Sequence, residues 1–368
     1  MKEKIDQCKL KWHADRVDQH RAGLRVAPIT VDLAITTSCT FKCEYCYAHT
    51  CQVQPDAVKW SWKMIRNTFK TFAEIGVKAV SFVSDGESTC HPNWVEAVLL
   101  AKEWGMDVAL GTNGHLCDLV SLEKVLPHLT YLRFNVSAAT SERYQQIHGV
   151  KSEVYEQVLQ NIRTAVSIKR LHGHDVTIGL QTVFMPKYVD QLLPLCSLGK
   201  GLGVDYLTIK HCSDDEHGTL GVMYEDYGLT HGVLEKAERM GDEHYAVVVK
   251  WRKIHAGRTR EYKRCLAPPL QLQISGSGLV APCGMFFNGK YYNRHIGNLH
   301  DKSFKVLFKS KRYWEVMDDL ASCRFDAQTM CGCLCLQDAS NVYLDSIWDD
   351  PGVLQAPEAA APGHINFV

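Results

Sequence analysis

The chain has no excess charge of either sign. Its 41 lysines and arginines balance 41 aspartates and glutamates, so electrostatics favours neither nucleic acid nor an anionic membrane as a partner. It contains no apolar run near the ~20 residues of a membrane span, and its first residues are too polar for a signal peptide. A cytoplasmic protein is the expectation. The stretch before the first predicted strand is too short for an independently folded leader-binding domain. The two close cysteine pairs of an ordinary zinc site are also missing.

Cysteine itself is plentiful, with 15 in 368 residues. That usage fits clustered metal ligation in a reducing compartment better than disulfides, which suit small secreted scaffolds. Hydrophobic residues make up 46% of the chain, enough to bury a large core in two domains. The densest group is Cys39, Cys43 and Cys46, spaced CxxxCxxC. Three thiolates cannot close a tetrahedral zinc site or complete an electron-transfer cluster. Cys51 is the nearest candidate for a fourth ligand, so zinc or a closed cluster remains an alternative.

The surroundings of the triplet sharpen the reading. Val31 to Thr36 is predicted as a buried strand leading into the cysteine loop, followed by a helix from Ala57 to Ile75 with Ile65, Phe69 and Phe72 on one face. Strands are predicted at Lys78 to Val83, Met106 to Gly111, Thr130 to Ser137, Val176 to Met185 and Val204 to Lys210. Helices fill the intervals, one from Pro92 to Trp104 and one capped by Ser152. Six βα units in series imply a parallel sheet, closed as a barrel or open and doubly wound.

With this context the chain resembles the radical S-adenosylmethionine (SAM) superfamily. In that family three cysteines hold a 4Fe-4S cluster, SAM chelates the open iron, and reductive cleavage yields a 5'-deoxyadenosyl radical. The resemblance implies a partial (β/α)6 TIM-like barrel with chemistry at the C-terminal strand ends, and flavodoxin or ferredoxin as electron donor. It also implies roles for individual residues. Tyr45 falls beside the adenine, and Gly86 and Glu87 correspond to the Gly-Gly-Glu motif that holds the SAM amino group, with Asp85 replacing the first glycine. Thr112, Asn113, Asn135 and Ser137 end the third and fourth strands among the SAM contacts.

Further on, Cys265 precedes a predicted β-hairpin around Gly276-Ser277-Gly278, and Cys283 follows it. Cys323, Cys331, Cys333 and Cys335 lie downstream. This region resembles the SPASM and twitch extensions of the same superfamily, which bind auxiliary clusters. Six cysteines rather than seven imply one auxiliary 4Fe-4S cluster, on Cys265, Cys283, Cys331 and Cys335, with Cys323 and Cys333 as substitutes. A zinc knuckle is the alternative. Residues 297–320 are predicted helical, with Phe304, Leu307, Phe308, Trp314 and Met317 as core. The expected divisions are an N-terminal helical extension (1–30), the barrel (31–211), a barrel-closing linker (212–260), the auxiliary-cluster region (261–348) and a loosely packed tail (349–368).

The expected activity is hydrogen abstraction from a small polar substrate such as a sugar, sugar nucleotide or natural-product precursor, giving oxidation or epimerisation. A peptide-modifying maturase and a non-enzymatic iron-sulfur or zinc protein are the alternatives. Cys212, just off the sixth strand beside His211, is the candidate hydrogen donor, against the reading that it is a buried small residue. Cys90 and Cys117 also follow strands but are assigned to packing, as are Cys8 and Cys196. His211 is a candidate proton acceptor, though a lone histidine there is more often structural.

Overall fold

The computed structural model describes residues 8–50, 57–333, 335–350 and 352–368. Ten strands form one sheet in the order β10-β9-β8-β1-β2-β3-β4-β5-β6-β7. The strands are β1 (Thr30–Leu33), β2 (Ala79–Phe82), β3 (Asp107–Thr112), β4 (Tyr131–Asn135), β5 (Thr177–Phe184), β6 (Tyr206–His211), β7 (Ala246–Val249), β8 (Gln271–Ile274), β9 (Leu279–Ala281) and β10 (Gly297–Asn298). From β8 through β7 every neighbour is parallel, while β8, β9 and β10 are antiparallel. The partial barrel is therefore wider than six strands. β7 adds to one edge, and the hairpin strand β8 pairs with β1 on the other.

Most of the parallel strands have two chemically different faces. Val31, Leu33, Val80, Phe82, Leu132, Phe134, Ile178, Leu180, Leu207, Ile209, Leu272 and Ile274 join the main apolar core with the surrounding helices. Their neighbours along the chain, including Asp32, Ser81, Arg133, Gln181, Tyr206, Lys210 and Gln271, line a cavity of about 270 Å³. Successive strand residues point to opposite faces, so a polar lumen occupies the place where a TIM barrel usually packs branched aliphatic side chains.

Several element boundaries differ from those predicted. The helix predicted from Ala57 begins at Trp62 (Trp62–Ile75), capped by Ser61, whose hydroxyl accepts from the Met64 N–H at 3.2 Å. The chain before it is held extended by a Thr36–Lys59 bridge and the Trp60 N–H to Ile35 carbonyl bond. Ser152 is the first residue of its helix (Ser152–His172) and not its cap. The segment 297–320 is split into Phe304–Lys309 and Lys311–Ala321 by Ser310, which caps the second helix.

The tail is less loose than its composition suggests. His364 contacts Thr177 at 3.0 Å, Asn366 donates to Asp107 at 2.8 Å, and Phe367 packs against Tyr131. Its last residues thus sit against the strand starts. No helix among the described residues is long and apolar enough to cross a membrane.

Barrel and C-terminal region are one packing unit. Buried Phe72 meets Phe304 edge-on, ring centroids 4.9 Å apart, and β8 is hydrogen-bonded to β1. Phe72→Ala is expected to cost about 3–5 kcal/mol in denaturant unfolding. Both regions should unfold in a single transition; separate transitions would contradict the shared sheet.

Candidate functional site

The loop carrying Cys39, Cys43 and Cys46 is anchored on several sides. The Glu87 N–H donates to the Ser38 carbonyl at 2.9 Å, and Asn113 Nδ2 donates to Thr40 Oγ1 at 3.0 Å while lying 3.8 Å from Cys39 Sγ. The Lys42 and Glu44 N–H groups donate to the His148 and Ile147 carbonyls at the end of the helix Ser141–His148. These are carbonyls a helix leaves free at its last turn.

Two glycines clamp the loop's entry. A Cβ at Gly86 would stand 1.9 Å from the Thr36 carbonyl oxygen, and one at Gly276 2.1 Å from the same atom. Neither position admits a side chain without moving that backbone. The Asp85 departure has a physical role: its carboxylate accepts from Ser275 Oγ at 2.5 Å and the Gly276 N–H at 2.8 Å. It ties the loop after β2 to the β8–β9 turn.

Glu87 is buried and spends its carboxylate on the protein. Oε1 accepts from the Thr89 N–H, Thr89 Oγ1 and Thr112 Oγ1, and Oε2 from the Asn113 N–H at 2.7 Å. Burial raises its pKa, and these bonds oppose the rise. Asn135 Oδ1 accepts from Gln181 Nε2 at 2.9 Å. Ser137 Oγ donates to the Tyr45 oxygen at 3.3 Å and accepts from the Val183 N–H at 3.2 Å.

Between Tyr45 and Ser137 lies His148, fully buried and absent from the sequence reading. Its Nε2 accepts the Ser137 backbone N–H at 3.1 Å. That donor allows only an unprotonated Nε2. Burial drives the ring pKa down to about 3, so the neutral ring carries its proton on Nδ1. Nδ1 stands 3.2 Å from Cys43 Sγ and 3.4 Å from the Tyr45 oxygen. No local motif marks His148, because its partners come from the cysteine loop and a strand end far away in sequence.

Burial and then neighbouring charge raise the thiols of the triplet. Cys39 is pushed up to about 12, by burial first and then by Glu87, Cys46 and Cys90; Cys43 is raised further, by burial and by Cys46 and Cys39. Half-buried Cys90 flanks Cys39 instead of packing in the core. Cys51 lies outside the described residues.

The second set assembles the same way. Cys265 is raised by burial and then by Cys335, Cys331 and Cys283, and Cys331 by burial, Cys335 and Cys283. Asn341 Nδ2 lies 3.6 Å from Cys265 Sγ, and the Tyr262 hydroxyl 3.5 Å from Cys335 Sγ. Cys333 turns away, its sulfur accepting the Asp214 N–H at 2.8 Å and touching the Tyr224 hydroxyl. Cys323 is exposed. Among the described residues no three Cys, His, Asp or Glu side chains converge on one point as ligands of a single ion would. A cubane takes one thiolate per iron, so grouped but separated sulfurs fit it.

Cys212 is fully buried, with its N–H bonded to the Tyr227 hydroxyl, and it does not line the lumen. His211 is enclosed by Tyr224 and Tyr227 with Nδ1 unpartnered. Cys117 and Cys196 are buried, whereas Cys8 lines the lumen.

A parallel barrel presenting three grouped thiols on its first loop defines an iron-sulfur enzyme scaffold. Residues 33–191 match the radical SAM superfamily, so this part of the chain is a radical SAM domain, whose cofactors are SAM and a 4Fe-4S cluster. It is 22% identical over 318 residues to the tungsten-containing aldehyde ferredoxin oxidoreductase cofactor-modifying protein of Pyrococcus furiosus, covering 76% of this chain and 81% of that one. It is 23% identical over 188 residues to the PqqA peptide cyclase of Gluconobacter oxydans, covering 50% of this chain and 49% of that one. Among solved structures, Streptococcus suis SuiB bound to S-adenosylmethionine shares the fold, with TM-score 0.62 and 14% identity over 82% of this chain and 70% of that one.

The buried neutral His148 sets an acid limit. Its folded pKa lies below the unfolded 6.5, so the unfolded chain binds the extra proton. Stability is complete above pH ~6.5 and falls below it by about 1.4 kcal/mol per pH unit per such group. His148→Gln should make the acid side of the apo-protein's stability profile shallower by about one proton, measured by denaturant unfolding between pH 5 and 7; an unchanged slope would contradict the assignment.

Proposed function

We propose that this radical SAM enzyme abstracts hydrogen from a small polar molecule held in the barrel lumen and that the net outcome is oxidation. The lumen carries this reading: polar and charged side chains from β1, β2, β4, β5, β6 and β8 line it together with apolar surface, at a volume of about 270 Å³, slightly below the usual range of small-molecule pockets. Cys39, Cys43 and Cys46 hold the first cluster, and Cys265, Cys283, Cys331 and Cys335 a second. When bound, the first cluster with SAM supplies the hydrogen-abstracting radical, and the second an acceptor for the electron that oxidation releases.

The protein's own residues prepare that site. Gly86 leaves room for close backbone approach, and Glu87 acts at one remove by fixing Thr112 and Asn113. Asn113, Asn135, Ser137 and Tyr45 offer polar atoms at neighbouring strand ends for SAM. The His148 Nδ1–H donates to the Cys43 sulfur, the kind of bond that tunes a cluster's potential. An external one-electron donor of flavodoxin or ferredoxin type completes the cycle.

Oxidation is favoured over epimerisation because Cys212, the candidate hydrogen donor, stands outside the lumen. A peptide substrate is the second reading, favoured by the similarity to a peptide cyclase; the small volume and charged lining of the lumen weigh toward a small molecule.

Anaerobically reconstituted protein should carry about eight irons per chain, as two four-iron clusters require, and release 5'-deoxyadenosine from SAM when reduced. Changing Cys39, Cys43 and Cys46 to alanine should abolish that release; persistent cleavage would sink the central claim. Turnover by Cys212→Ala in deuterated water should yield product without deuterium on carbon, whereas loss of turnover in this variant, or wild-type incorporation of deuterium, would establish thiol-dependent epimerisation.

A further inference from the structure

Resting on that reading, we propose that the lumen takes a small hydroxylated anion, a carboxylate- or phosphate-bearing molecule, held by Arg133 and Lys210. Both residues line the cavity, Arg133 from the middle of β4 and Lys210 from near the end of β6, with β5 between them and Arg133 in register through Gly179 with Tyr206, four residues before Lys210. Among the described residues neither side chain has a hydrogen bond or an ion pair; the Arg133 guanidinium lies over the Tyr131 ring at 5.7 Å, and its Nε is a buried donor without a partner. Lys210 is half-buried and lines the cavity.

The surrounding charge is one-sided. The amine of Lys210 is driven down to about 7 by burial and then by the cations Lys253, Arg133 and Lys250. Two carboxylates reach the same wall. Asp338 is engaged by Arg252 at 2.9 Å and by the Tyr262 hydroxyl at 3.2 Å. Asp32 is hydrogen-bonded to Gln273 at 3.3 Å, and burial pushes its own carboxyl up to about 6, so it offsets Arg133 only in part. An enclosed ammonium without a counter-ion is costly, and an anion in the lumen removes that cost.

A further atom suggests a hydroxyl on the same ligand. Gln271 Oε1, on the cavity wall, is a buried acceptor without a partner; Thr208 Oγ1, two residues before Lys210 on β6, is also unpartnered but does not line the cavity. A guanidinium and an ammonium for the anion, with an acceptor for a hydroxyl group, describe a sugar acid or a sugar phosphate better than a peptide or an apolar precursor. The two anions share their recognition chemistry and are separated by the probes below.

The test is thermal unfolding of the reconstituted full chain at fixed ionic strength, titrated with glycerate, with glycerol 3-phosphate, and with glycerol as the uncharged control. A saturable rise in Tm is expected with at least one anion and none with glycerol, and the anion that acts identifies carboxylate or phosphate. Lys210→Met and Arg133→Gln should each weaken the apparent affinity tenfold or more, Arg133→Lys should retain most of the response, and ligand-free Lys210→Met should be at least as stable as the wild type. No saturable response to either anion, a response undiminished in both neutral variants, or a destabilised Lys210→Met would overturn the assignment. SAM cleavage is measured in the same wild-type preparation. Cleavage without an anion response overturns the lumen ligand alone, and an anion response without cleavage overturns the reading of function.

Discussion

Alternation along the parallel strands is the constraint on which both core and cavity depend. A parallel sheet covered by helices ordinarily reads as continuous apolar runs, because both faces are buried in side chains. Here β4 and β6 alternate instead, apolar outward and polar or aromatic inward, as in Tyr131-Leu132-Arg133-Phe134-Asn135 and Tyr206-Leu207-Thr208-Ile209-Lys210. Helix packing is satisfied by one face, and the other is left with polar groups that need partners. Gly111 and Gly179 keep the interior from filling. A Cβ at Gly179 would fall 2.2 Å from the Tyr206 ring, and one at Gly111 2.6 Å from Val83.

The loops at the strand ends obey a second demand, that buried polar groups be bonded. Glu87 meets it by collecting donors from the loops after β2 and β3, and so fixes the position of Asn113 against the cysteine loop. His148 meets it by accepting from Ser137 and facing Cys43. The thiols are raised because burial and mutual repulsion disfavour charge. Ligation of a metal replaces those protons, so cluster assembly, proton release and the order of these loops are coupled.

Much of this was legible in the chain. The triplet spacing, the Gly86-Glu87 step and the Thr112-Asn113-Gly114 strand end identify the superfamily, and the six predicted strands all exist within a few residues of their expected bounds. Cys331 and Cys335 group with Cys265 and Cys283 as the CxxxC step implied, while Cys333 is drawn off by Asp214 and Tyr224, two residues no spacing rule connects to it. β7 was missed because Ala246–Val249 is short and uniformly apolar, with no turn motif to mark it. β8 was read as half of an isolated hairpin, though Gln271-Leu272-Gln273-Ile274 carries the same alternation as the barrel strands. The polar side of the lumen is legible in that same alternation, since each apolar outward position leaves its neighbours facing the interior.

The pairing of β8 with β1 explains why the two cysteine sets belong to one working unit. It brings Gly276 onto the Thr36 carbonyl and Ser275 onto Asp85, so the hairpin that ends near Cys283 also shapes the loop that begins near Cys39. From the other side the Tyr47 hydroxyl, one residue past Cys46, donates to the Met285 carbonyl two residues past Cys283. The lumen meets the second set through Lys253, which lines the cavity and donates to the Cys335 carbonyl at 2.8 Å. A molecule lying against Lys210 and Arg133 is therefore bounded by a side chain anchored on the second set and, at the strand starts, by the tail residues His364, Phe367 and Val368. Displacing β8 by even one residue would invert its faces, burying Gln271 and Gln273 in the helical core and undoing the loop clamp, the lumen wall and the second cysteine set together.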